Sequence, residues 1–128
     1  MLGGSTLKHW SSTQRVIALS SGESELYAAT RALSESIGMQ STAGAFHEKQ
    51  NIVLSIDAMA TIGLAYRQGL GRARHIQVSE LWIQAELESG NFKLKKIPGS
   101  LNPADILTKA VNGDTLAKHL KRMGFKTI

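Results

Sequence analysis

The run Asn51-Ile52-Val53-Leu54-Ser55-Ile56 constrains the fold of this chain more than any other segment. It is β-branched and almost continuously apolar, the pattern of a strand buried on both faces, and it stops at an acid, Asp57. Ala58 to Gln68 then reads as a helix, closed by the glycine-rich loop Gly69-Leu70-Gly71. Strand, acid and helix in that order predict an α/β domain, a class in which function gathers where strands end and helices begin.

The neighbouring segments extend this pattern. Thr6 to Trp10 alternates loosely and predicts a short strand after a Gly3-Gly4 turn. Ser20 and Glu23 have the spacing of a capping box, so a helix should begin there. Leu26, Ala29, Leu33 and Ile37 continue it along one face, with its end left open between Gly38 and His47. A third helix is expected from Ile76 to Ser89, then a strand from Asn91 to Ile97 with Phe92 and Leu94 on one side and Lys93 and Lys95 on the other. Pro98-Gly99 should stop that strand, and Pro103 suits the first position of a helix through Asp105-Ile106-Leu107. A last helix, Gly113 to Met123, would place Lys118, Lys121 and Arg122 near its carboxy end, where positive charge suits the helix dipole.

At 128 residues the chain has the length of one domain, and a single core is expected. An apolar fraction of 42% with 20% charged residues argues against disorder. No apolar run is long enough to span a bilayer, and the amino terminus lacks the apolar stretch of a secretory signal, so neither membrane nor export is expected. The absence of cysteine excludes disulfides and thiolate metal sites and fits an intracellular protein. The net charge of +5 rises toward the carboxy terminus, which suits a polyanionic partner or, equally, a solvated basic face.

Three acids occupy the element junctions: Glu25 in the first turns of the first helix, Asp57 after the buried strand, and Asp105 opening the helix after the last strand. If those ends converge, the carboxylates form a cluster of hard oxygen ligands suited to magnesium or manganese, the chemistry of metal-assisted phosphodiester hydrolysis. Spacing alone leaves the structural alternative open, since acids near helix amino termini are common as caps and dipole partners.

The sequence Ser20-Ser21-Gly22-Glu23-Ser24-Glu25-Leu26-Tyr27-Ala28-Ala29 resembles the stretch LSS-x-E-x-E-Y/L-x-A of copia-type retrotransposon ribonuclease H domains. Asn102-Pro103-Ala104-Asp105-Ile106-Leu107-Thr108-Lys109 is similar to their N-x-A-D-I-L-T-K signature. Between them, Ser55-Ile56-Asp57 resembles the family's strand end, and Gly71-Arg72-Ala73-Arg74-His75-Ile76 its R-S/T-K-H-I segment. The resemblance runs from about Gly4 to Phe125. It implies a ribonuclease H-like mixed sheet flanked by helices, in a Pol polyprotein whose partners are an RNA–DNA hybrid and the upstream reverse transcriptase, in retrotransposon particles or the nucleus. It also implies a two-magnesium site that cleaves the RNA strand during reverse transcription. On that reading Glu25, Asp57 and Asp105 are metal ligands, with Glu23 the alternative to Glu25. Leu26-Tyr27-Ala28-Ala29 favours Glu25, because it fits the helix that carries the family glutamate.

The family's first strand supplies a further aspartate, whereas this sequence holds no acid before Glu23 and begins at the hairpin leading into Trp10-Ser11-Ser12-Thr13-Gln14. The expected fold is therefore a partial domain, residues 1–128, lacking the first strand and most of the second, with weak or no activity alone. The rival reading is a catalytically dead nucleic-acid-binding module or a reverse-transcriptase tether. The family's H-I-D ending reads His75-Ile76-Gln77 here.

His75, beside Arg72 and Arg74, is a candidate proton shuttle or phosphate contact, or else a histidine that caps the following helix. Arg72, Arg74, Lys95 and Lys96 are the candidate nucleic-acid contacts. The four histidines are too scattered for a zinc site, and no serine lies in a G-x-S-x-G elbow. Trp10 and Trp82 fit core positions better than base stacking.

Overall fold

The computed structural model describes residues 1–15, 17–67 and 78–126. It is mixed α/β, and the chain divides into two compact units: Gln14–Ile97, and a smaller unit of Met1–Thr13 with Pro98–Ile128.

The larger unit contains α1 (Ser21–Ala45), β1 (Ile52–Ile56), α2 (Met59–Tyr66), α3 (Val78–Glu88) and β2 (Phe92–Lys96). Helix α1 starts where the capping-box spacing places it. The Ser20 hydroxyl accepts from the Glu23 N–H at 3.2 Å, and the Glu23 carboxylate accepts from the Leu19 N–H at 2.9 Å. Two amide donors at the helix entrance are thereby satisfied. Neither Gly38 nor Gly44 breaks α1, which ends instead in a Schellman pattern: His47 N–H donates to Gly44 O and Glu48 N–H to Ala43 O, both at 3.0 Å. His47 holds the left-handed position, φ 62°, that glycine usually fills.

Strands β1 and β2 pair in parallel, from Ile52 opposite Phe92 to Ile56 opposite Lys96, with α2 and α3 in the crossover between them. The core gathers Leu26, Ala29 and Leu33 of α1, Ile56, Ala65, Ile83 and Phe92. Leu26, Leu33 and Ile83 are fully buried, each stabilising the unit by roughly 1.5–3 kcal/mol. Trp82 packs against this core, as expected.

The expectation that β1 is buried on both faces is corrected. Ile56 is buried, but Val53 is 55% exposed and Ser55 is exposed. A sheet of two strands has its helices on the face carrying Ile56 and Phe92, so β1 alternates although its sequence is almost uniformly apolar.

Helix α2 reaches α1 because Gly22 has no side chain. A Cβ built there would lie 2.9 Å from Ala60 Cβ, and the buried Thr61 hydroxyl donates to Gly22 O at 3.1 Å. Gln84 fastens α3 to α2 by donating to Leu64 O at 3.0 Å.

In the smaller unit, Leu2 and Ser5 exchange backbone hydrogen bonds of 2.9 and 3.0 Å around Gly3 and Gly4. The two glycines, φ 56° and 79°, give the turn predicted from their pairing. The strand expected over Thr6–Trp10 does not form; only Leu2 and Ser5 make a β-bridge. Alternation makes a strand only beside a partner, and Thr6 instead donates its N–H and hydroxyl to Met123 O, at 3.1 and 2.8 Å. Short 3-10 turns follow at Gly99–Leu101 and Pro103–Leu107, so the helix expected through Asp105 is a single tight turn with Pro103 in its first position. Helix α4 (Gly113–Arg122) is capped by Asn112, whose side chain accepts from the Thr115 N–H at 2.9 Å. It ends in a second Schellman pattern at Gly124, φ 84°. His119 is its buried residue, with Met123 buried just beyond its end, and His119 Nδ1 has no hydrogen-bond partner among the described residues.

No described helix is long and apolar enough to cross a membrane.

Candidate functional site

The two acids of α1 have different surroundings. At about 100° per residue, two positions apart, they project from nearly opposite sides of the helix. Glu23 is 6% exposed and its carboxylate is engaged at the helix cap, while Glu25 is exposed. Of this pair, Glu25 is the residue placed to meet a ligand from solvent.

Asp57 sits where β1 ends and just before α2, half-buried. The N-cap of α2 is Ala58, which has no side-chain acceptor, so the helix entrance next to Asp57 lacks a capping side chain from that position. The Asp57 backbone is held from β2: Lys96 Nζ donates to Asp57 O at 2.7 Å and to Ile97 O at 3.1 Å. Lys96, a candidate phosphate contact by sequence, thus spends its ammonium on two carbonyls at the strand end. Its place in the strand explains this. Lys96 pairs in register with Ile56, on the opposite face from Lys93 and Lys95.

Asp105 belongs to the smaller unit, in the Pro103–Leu107 turn. Asn102 shapes that turn by accepting from the Ala104 N–H at 3.1 Å. One Asp105 carboxylate oxygen accepts from Lys109 Nζ at 2.9 Å, an i,i+4 ion pair exposed enough to contribute little to stability.

Among the described residues of either unit, no three His, Asp or Glu side chains gather closely enough to hold a metal ion. Glu25 and Asp57 belong to the larger unit and Asp105 to the smaller. Carboxylate oxygens are donors that hard divalent cations take, but neither unit's described residues gather three of them. His75, Arg72 and Arg74 lie outside the described residues, as does Gly69-Leu70-Gly71. Lys95 is exposed on β2, and strand alternation sets Lys93, also exposed, on the same side.

With the positions of these side chains in hand, comparison with known proteins adds the origin of the chain. It is 33% identical over 125 residues to the retrovirus-related Pol polyprotein from transposon TNT 1-94 of Nicotiana tabacum, a match covering 94% of the chain. The similarity supports a retrotransposon Pol origin. This Pol-like chain spans 9% of that polyprotein's length. No family model matches the chain. No solved structure matches it either.

Proposed function

We infer that this chain is part of a copia-type ribonuclease H-like domain, a magnesium- or manganese-dependent endonuclease for the RNA strand of RNA–DNA hybrids during reverse transcription. The observation that carries this reading is the similarity to a retrotransposon Pol polyprotein over nearly the whole chain. The acids at the element junctions supply its chemistry: Glu25 near the start of α1, Asp57 at the end of β1, and Asp105 in the turn after β2. Carboxylate oxygens are the ligands hard divalent cations take. In this reading Glu25, Asp57 and Asp105 contribute ligands to a two-metal site completed by an aspartate from a preceding stretch of polyprotein, with His75, Arg72 and Arg74 acting on the hybrid beside it.

The test is hybrid cleavage with magnesium, by the chain alone and by the chain joined to its upstream reverse-transcriptase segment. Strong cleavage is expected only of the joined protein, and Asp57→Asn should abolish it. Full cleavage after Asp57→Asn sinks the reading.

A second reading, a catalytically dead binding module or reverse-transcriptase tether, draws on the Lys109 ammonium that occupies one carboxylate oxygen of Asp105. Hybrid binding without cleavage by the joined protein would select it.

A further inference from the structure

The β1–β2 sheet has one face against the helices, and its other face carries Val53 and Ser55 from β1 and Lys93 and Lys95 from β2. The pairing sets Val53 beside Lys93 and Ser55 beside Lys95, and all four are exposed. No acid stands among them, and among the described residues neither lysine makes a hydrogen bond or ion pair. Burying a lysine stem is inexpensive, whereas two ammoniums side by side repel and are most stable when an anion lies between or across them.

The dimensions favour one kind of anion. Residues two apart on a parallel strand are about 6.6 Å apart. The phosphates of one nucleic-acid strand recur at short regular intervals, so Lys93 and Lys95 can each meet a phosphate of the same backbone. With strands about 4.8 Å apart, a two-stranded face is wide enough for one backbone. The small, uncharged Ser55 and Val53 beside the lysines leave room for that backbone to lie across the sheet. Lysine ammoniums bind phosphate as point charges without reading bases, so the contact would be independent of sequence.

We propose that the open face of the β1–β2 sheet, through Lys93 and Lys95, is a binding track for one phosphodiester backbone. The proposal rests on the reading above only in taking nucleic acid as the ligand; it requires neither metal nor hydrolysis. Lys96 takes no part, since it lies on the other side of the sheet and bonds to Asp57 O and Ile97 O.

The test uses the whole chain in EDTA, so failure of the nuclease reading leaves it untouched. Binding of a fluorescein-labelled oligoribonucleotide, the matching oligodeoxyribonucleotide and their hybrid is followed by anisotropy as salt is raised. Each phosphate contact contributes a slope of about 0.7 in log K against log salt for a single strand and about 0.9 for a duplex. Lys93→Gln with Lys95→Gln should therefore lower the slope by about 1.4 for a single strand and about 1.8 for the hybrid. Lys118→Gln with Lys121→Gln, which removes the same charge from α4, should leave it unchanged. Val53→Glu, which keeps both lysines but sets a carboxylate beside Lys93, should also weaken binding, and it serves as the deciding variant if the double substitution does not fold. Comparison of the single strands with the hybrid shows whether the backbone is free or paired. Equal loss from the two double variants, an unchanged slope with a folded Lys93/Lys95 variant, unchanged binding by Val53→Glu, or stronger displacement by polyglutamate than by oligonucleotide overturns the proposal.

Discussion

The two units of this chain are stabilised in different ways. Gln14–Ile97 surrounds an apolar cluster to which α1, β1, α2, α3 and β2 each contribute a buried side chain. The smaller unit buries Met123 and His119, and its order comes from backbone geometry: the Gly3-Gly4 turn, the Thr6 bonds to Met123 O, and the Gly124 end of α4. Apolar burial spreads stability over many contacts, whereas a unit held by turns depends on a few positions where the chain must adopt a special conformation. Two candidate carboxylates, Glu25 and Asp57, stand on the well-cored unit, and Asp105 on the other.

The largest expected effect separates the two kinds of stabilisation directly. Leu33→Ala should destabilise the larger unit by about 2–5 kcal/mol, read as a shift in the urea midpoint, because it removes buried methyls and leaves a cavity. Leu116→Ala on α4, where the side chain is 39% exposed, should shift the midpoint much less. Equal losses would show that the smaller unit has a core of comparable importance.

A second pair places a methyl group at each unit's closest glycine contact. Gly22→Ala meets Ala60 Cβ at 2.9 Å and should cost about 1–3 kcal/mol through overpacking between α1 and α2. Gly124→Ala meets Gly4 O at 2.6 Å and also forces a side chain into the left-handed region. Hydrogen exchange should then show faster exchange at Thr6 and Phe125 while the Ile83 amide keeps its protection. Loss of protection at Ile83 would mean that the units open together.

Smaller effects test the helix ends. Ser20→Ala removes the acceptor of the Glu23 N–H and should lower stability by about 1 kcal/mol, seen in thermal melting. His47→Gly should raise the melting temperature, by up to about 1 kcal/mol of stability, by relieving a β-carbon at φ 62°. A melting temperature unchanged by His47→Gly would show that the side chain's own contacts offset its backbone strain.

Local signals in the sequence were reliable where the physical cause is local. The Ser20 cap, the Gly3-Gly4 turn, Pro103 in a first helical position, and the separation of Phe92 and Leu94 from Lys93 and Lys95 all depend on residues a few positions apart. The sequence was less informative where the outcome depends on a distant neighbour. Thr6–Trp10 alternates like a strand, but Met123 takes its first hydrogen bonds. Val53 is as apolar as the residues beside it, yet it is exposed because the sheet has one helix-covered face. Lys96 reads as a phosphate contact, yet its ammonium reaches Asp57 O, a pairing across 39 positions of sequence.

What the sequence determined by itself is the order of elements, their caps and turns, and the acids at the element junctions, because these follow from backbone preferences and short-range hydrogen bonds. Tertiary structure alone decided that β1 pairs with β2, that Gly22 admits α2, that Glu23 turns inward while Glu25 remains exposed, and that Lys93 and Lys95 share an open face. Such choices depend on which surfaces are removed from water, and burial is a property of the folded arrangement that no short stretch of chain carries.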